Sequence, residues 1–119
     1  MAHILIIDDD KNICFLVHEE LSLAGHLVES ACDGPSGLAA ASEHPPDLVI
    51  LDVKMPGMSG LDVLPLLKRR SPQIPVFLFT AYGDFRDDAR SLGADGYIIK
   101  SPDFSVLCNA VQDALSHHP

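Results

Sequence analysis

The stretch that most constrains this chain is LVILDVKMPGMSG, residues 48–60. It opens with Leu48, Val49, Ile50 and Leu51, an unbroken apolar run that fits a strand buried on both faces of a parallel sheet. The run stops at Asp52. An ionised carboxylate is costly to bury, so Asp52 marks where the strand emerges into a polar site. Met55, Pro56 and Gly57 then force a turn, and Ser59 is placed to cap a helix with Asp62 three residues on. Strand, carboxylate, turn and helix follow one another, which puts the carboxylate at the C-terminal end of a parallel strand, where open α/β sheets hold their chemistry.

The rest of the chain repeats this alternation. HILII at residues 3–7 is a first buried strand and ends in Asp8-Asp9-Asp10. A helix runs from Lys11 with Ile13, Leu16, Val17, Leu21 and Ala24 at helical spacing, Asp10 as its cap and Gly25 as its stop. Residues 27–31 form a second strand, and 34–43 a helix of small residues that must pack closely against something. A third helix spans about 60–70 with Leu61, Leu64 and Leu67 on one face, and Pro65 inside it predicts a kink or a late start. Residues 74–79 form a fourth strand leading to Thr80-Ala81, and a short helix falls within 84–92. Residues 97–99 form a fifth strand ending in Lys100. The last helix covers 104–115 with Val106, Leu107, Ala110, Val111, Ala114 and Leu115 inward, and residues 116–119 read as frayed or linker-like. Five strands alternating with five helices imply an α/β, doubly wound, five-stranded parallel sheet of order 2-1-3-4-5, the flavodoxin-like arrangement, filling residues 1–119 as a single domain. The switch point of that order lies between strands 1 and 3, which end in Asp8-Asp9 and Asp52.

The strand ends define a candidate site: Asp8 and Asp9, Asp52, Thr80 and Lys100. Three carboxylates brought together repel one another, and a hard divalent cation suits an all-oxygen donor set. Mg²⁺ is the expected cofactor. Lys100 adds a fixed positive charge, Thr80 a hydroxyl, and the backbone N–H of Ala81 a further donor toward an incoming phosphoryl group. A carboxylate nucleophile with metal, lysine and hydroxyl suits phosphoryl transfer to an aspartate.

IIDDD at residues 6–10, LDVKMPGMSG at 51–60, FTA at 79–81 and GADGYIIK at 93–100 together resemble the receiver domain of bacterial two-component response regulators, including the single-domain chemotaxis receiver. The resemblance implies Asp52 as phosphoacceptor, Asp9 as a direct metal ligand, Asp8 as a residue that helps hold the metal and its water, and the Lys54 carbonyl as a further ligand. It implies Thr80 as the switch hydroxyl, Lys100 as the phosphate-binding lysine and Tyr97 as the aromatic switch position. It also implies a sensor histidine kinase or histidine phosphotransfer domain as donor. Receivers usually place Pro directly after the lysine with a cis peptide between them. Here Ser101 intervenes before Pro102, and a cis bond to a non-proline costs about 3 kcal/mol. The segment from Thr80 to Tyr97 is shorter than usual, which predicts a short or irregular fourth helix.

The formal charge of −9 argues against binding of a nucleic-acid backbone by this domain, and Lys68-Arg69-Arg70 reads as a favourable helix end. Cys14, Cys32 and Cys108 lack metal-ligand or disulfide spacing and read as reduced thiols of a cytoplasmic protein. No segment has the length and apolarity to enter a membrane. The output partner, or a missing effector domain, is not named by these residues. Two other readings compete: a pseudo-receiver that binds partners without phosphorylation, against which the complete acidic site speaks, and an aspartate-nucleophile phosphatase. The latter wants a second acid two residues after the nucleophile, where this chain has Lys54.

Overall fold

The structure is a computed structural model that describes residues 2–116. Ten elements alternate along the chain: β1 His3–Ile7, α1 Lys11–Leu23, β2 Leu27–Ala31, α2 Gly34–Glu43, β3 Leu48–Leu51, α3 Gly60–Arg70, β4 Val76–Thr80, α4 Arg86–Ser91, β5 Gly96–Ile99 and α5 Ser105–Ser116. The strands form one parallel sheet of order β2-β1-β3-β4-β5. The expected topology is the observed one.

The apolar strands feed two cores because successive side chains point to opposite faces. Leu5, Ile7, Val49, Leu51, Val76 and Leu78 pack on one face with Val63, Leu64 and Leu67 of α3 and Ala89 of α4. Ile4, Ile6, Leu48, Ile50, Phe77 and Phe79 pack on the other with Val17 and Leu21 of α1 and Leu107 and Val111 of α5. The small residues of α2 earn their place by close approach: a Cβ on Gly37 would sit 2.5 Å from Ile7 Cδ1, and one on Gly34 would sit 2.9 Å from Val63 Cγ2.

Local chemistry sets most helix ends. The Asp10 carboxylate accepts the backbone N–H groups of Asn12 and Ile13, and Asp33 and Ser59 cap α2 and α3 in the same way. Gly25 follows α1 with φ +93°, a conformation that disfavours residues with a Cβ.

Several sequence expectations shift. Helix α3 runs from Gly60 through Pro65 without the late start, held by its Ser59 cap and by the burial of Val63, Leu64 and Leu67. Val63, rather than Leu61, joins Leu64 and Leu67 in full burial. Strand β4 begins at Val76 rather than residue 74, because Ile74 is turned back by its N–H bond to Ser71 O and Pro75 has no N–H to give. On α1 and α5, Leu16 and Val106 stay exposed, at 42% and 60%; the buried stripes there narrow to Val17–Leu21 and Leu107–Val111. Helix α4 is short, as expected, and its N-cap Phe85 offers no side-chain bond. Ser116, expected in a frayed or linker-like tail, is instead the last residue of α5; the rest of that expectation, residues 117–119, lies outside the described residues.

Candidate functional site

The strand register brings the polar strand ends to one edge of the sheet. Ile7 lies opposite Leu51, and Leu51 opposite Leu78. The ladders then continue one step past the strands. Asp8 N–H donates to Ala31 O at 3.0 Å, Asp52 N–H to Ile7 O at 3.0 Å, and Lys100 N–H to Thr80 O at 2.8 Å. The backbone of each functional residue is therefore fixed by the sheet itself. Each side chain is the first polar group after an apolar run.

Asp8, Asp9 and Asp52 each present a carboxylate oxygen such that all three lie within 4.8 Å of one another. Asp8 and Asp52 are buried, at 1% and 6% exposure, while Asp9 is exposed. Asp8 Oδ1 accepts the Asp10 N–H at 2.9 Å. Asp8 Oδ2 lies 2.8 Å from Lys100 Nζ, yet it is buried with no aligned hydrogen-bond donor among the described residues. The contact is a short ion pair, and Lys100 is the one cation it meets among the described residues. Burial raises the Asp8 carboxyl above its ordinary range, against the opposing pull of Lys100. Burial also pulls the Lys100 ammonium down, but Asp8 and Asp52 outweigh it and hold Lys100 above its ordinary value.

Asp52 is oriented by two contacts. Its Oδ1 accepts the N–H of Val53 at 2.8 Å, and its Oδ2 lies 3.3 Å from Lys100 Nζ. Behind it, Gly60 N–H donates to Val53 O at 2.8 Å, and a Cβ on Gly60 would lie 1.9 Å from the Asp52 carbonyl oxygen. Sequence reasoning assigned no role to the Val53 N–H or to Gly60. The signal for Gly60 was present, a glycine in the first turn of a helix with no need for unusual φ, but only the close packing explains it.

Thr80 is fully buried at the end of β4, and its Oγ1 accepts the Tyr82 N–H at 3.4 Å. Ala81 is exposed beside it. Lys54 is exposed, and its ammonium lies 5.0 Å from the centre of the Tyr82 ring and 5.7 Å from that of Phe85. The structure therefore gives the Lys54 side chain to two aromatic faces rather than to the carboxylates. Tyr97 packs against the α3 side of the core; its hydroxyl donates to Tyr82 O and its ring lies under the Arg86 guanidinium at 4.8 Å. All peptide bonds among the described residues are trans, that between Lys100 and Ser101 included.

Chemically, this edge offers a cluster of oxygen donors, a fixed cation and one buried carboxylate oriented between them. Comparison with known proteins agrees. A sequence profile described as "Response regulator receiver domain" matches residues 4–112. The "DNA-binding dual master transcriptional regulator RpaA" of Synechocystis sp. is 40% identical over 97% of this chain and 49% of its own length. Among solved structures, the response regulator protein TrrA of Thermotoga maritima in complex with Mg²⁺ and beryllium fluoride superimposes with a TM-score of 0.91 at 38% identity, covering 96% of this chain and 99% of TrrA. TrrA in complex with the histidine kinase ThkA gives a TM-score of 0.89 at 38% identity, covering 97% of this chain and 99% of that one. The chain spans about half the length of the curated relatives it matches. Among the described residues, no helix is long and apolar enough to cross a membrane.

Proposed function

The chain belongs to the response regulator receiver domain family, and from that premise we propose that Asp52 accepts a phosphoryl group from a sensor histidine kinase or a histidine phosphotransfer domain. An Asp52 carboxylate oxygen attacks phosphorus as the bond to the donor's imidazole nitrogen breaks. The imidazole leaves, and an acyl phosphate remains on Asp52. The observation that carries this reading is the setting of Asp52: Oδ1 fixed by the Val53 N–H, Oδ2 near Lys100, with Asp8 and Asp9 alongside.

The donor set fits Mg²⁺. It is all oxygen, with one carboxylate oxygen from each of Asp8, Asp9 and Asp52 inside 4.8 Å of the others. Asp8, Asp9 and Asp52, with the backbone carbonyl of Lys54, would hold the ion. When bound, Mg²⁺ offsets the carboxylate charge and that of the incoming phosphoryl oxygens. Lys100, paired with Asp8 and Asp52, adds to that charge balance, and the Ala81 N–H and Thr80 hydroxyl donate to the phosphoryl oxygens. Thr80 and Tyr97 are the switch positions. Tyr97 donates to the carbonyl of Tyr82, whose N–H donates to Thr80 Oγ1, so a change at Thr80 is felt at Tyr97 through one residue, Tyr82.

Residues 1–119 act as one receiver domain in the cytoplasm. It is a stoichiometric acceptor rather than a turnover enzyme, since Lys54 stands where a phosphatase of this chemistry needs an acid. Its output passes to a partner or an effector segment; ThkA on TrrA and the DNA-binding role in RpaA's name supply the models for donor and output. The test is intact mass after incubation with acetyl phosphate. With Mg²⁺ the mass rises by one phosphoryl group, and with EDTA it does not. Equal labelling in EDTA would reject the metal-assisted site.

A further inference from the structure

Between α2 and α3, at the end of the sheet away from the acidic cluster, lies a cavity of about 160 Å³. Its floor is Val49 and Val76, the first or second residues of β3 and β4, and Leu38, Leu67 and Ile74 complete the apolar lining. The cavity is too small for a drug-sized ligand, which needs roughly 300 Å³ or more. It matches a dry cavity of about 150 Å³ that holds one benzene-sized ring. Its walls resist collapse, because Val49, Leu67 and Val76 are held in the main core.

The mouth is not apolar. Arg70, in the last turn of α3, donates from its guanidinium to Ser42 Oγ at the end of α2, and both residues border the cavity. No carboxylate lies within ion-pair distance of Arg70 among the described residues. Its neighbour Lys68 differs: that ammonium is consumed by Pro72 O, Ile74 O and the Asp95 carboxylate. A guanidinium whose recorded partner among the described residues is a neutral hydroxyl, set over a ring-sized apolar cavity, lacks the partner it binds best, a planar carboxylate.

We propose that this cavity binds a small aromatic or alicyclic monocarboxylate, with the ring among Leu38, Val49, Leu67, Ile74 and Val76 and the carboxylate on Arg70. The Arg70–Ser42 bond gives way to a two-pronged Arg70–carboxylate pair, and the freed Ser42 hydroxyl donates to the same carboxylate. The positive charge that selects the anion is that of Arg70, in a chain whose formal net charge is −9.

Methyl NMR titration of the whole chain tests this, with sodium benzoate as probe and benzyl alcohol as the uncharged control. Benzoate is expected to shift the Leu38, Leu67, Ile74 and Val76 methyl signals saturably, and to bind about three- to tenfold more tightly than benzyl alcohol. Arg70→Gln, a change at an exposed side chain, removes that advantage and leaves benzyl alcohol binding as it was. Ala41→Leu, which adds carbon to the cavity wall, weakens both. Absence of saturable shifts at these methyls, or equal benzoate affinity in wild type and Arg70→Gln, overturns the proposal.

Discussion

Lys100 sets its ammonium 2.8 Å from Asp8 Oδ2, closer than the 3.3 Å that separates it from Asp52 Oδ2. The lysine thus occupies the same buried oxygen that the donor set offers to a cation. Lys100 and Mg²⁺ then neutralise overlapping charge. Lys100→Met is expected to lower stability in EDTA by about 1–3 kcal/mol, the cost of leaving a buried carboxylate unpaired, reduced for partial exposure. The same variant should gain more stability from Mg²⁺ than the wild type gains. Asp9→Ala should lose most of the Mg²⁺ response. Thermal melts in EDTA and in millimolar MgCl₂ check all three, and a Lys100→Met protein with a smaller Mg²⁺ response would contradict the shared-charge account.

Gly60 sits where only a hydrogen fits beneath the Asp52 carbonyl. Gly60→Ala must move the backbone of α3 or of the phosphoacceptor loop, and overpacking of this kind costs about 1–3 kcal/mol. Denaturant unfolding should show a lower midpoint with an unchanged slope. An unchanged midpoint would mean that the helix start yields freely.

The thiols provide a pH test. Burial, with the charges of Asp8 and Asp10, pushes Cys14 up to about 11 from an ordinary value of 9.0. Burial also raises Cys108, while Cys32 is exposed. At pH 8 only about one Cys14 in a thousand is thiolate. A colorimetric thiol reagent should therefore react quickly with Cys32 and slowly with the other two. The unfolded chain ionises Cys14 first, so the contribution to stability present below pH 9.0 is lost as pH rises toward about 11. Cys14→Ser should flatten that fall, and three thiols reacting at one rate would refute the assignment.

The stack of Lys54 over Tyr82 and Phe85 bears on the lifetime of the acyl phosphate. Neither Lys54 nor Tyr82 offers a carboxylate or amide to orient an attacking water, and the stack ties the loop after β3 to that after β4. Such contacts are worth about 0.5–1 kcal/mol at exposed sites. Tyr82→Ala and Lys54→Asn are each expected to speed decay of the phosphorylated protein about two- to fivefold in Mg²⁺ buffer. Decay followed by intact mass at wild-type rates in both would place the control of lifetime elsewhere.

Much of this site could be read from the chain before its structure. Asp8, Asp52, Thr80 and Lys100 stand out because each ends an apolar run, and a parallel sheet aligns such ends by its ladder alone. The finer contacts were not legible. The Val53 N–H that orients Asp52 is a backbone group that every residue carries. The need for Gly60 depends on how α3 packs against a carbonyl distant from its own face. The cation–aromatic stack on Lys54 joins two loops that sequence spacing does not relate. Pro65 misled in the other direction, since local propensity predicts a disturbed start and the buried face of α3 overrides it.

The central claim is that Asp52 alone forms the acyl phosphate, and trapping the modified residue tests it most directly. After incubation with acetyl phosphate and Mg²⁺, borohydride reduction converts a phosphorylated aspartate to homoserine, which peptide mass mapping locates. The account predicts one homoserine, at residue 52, and none in Asp52→Asn. Homoserine at residue 8 or 9 in the wild type, or undiminished phosphorylation of Asp52→Asn, would contradict it.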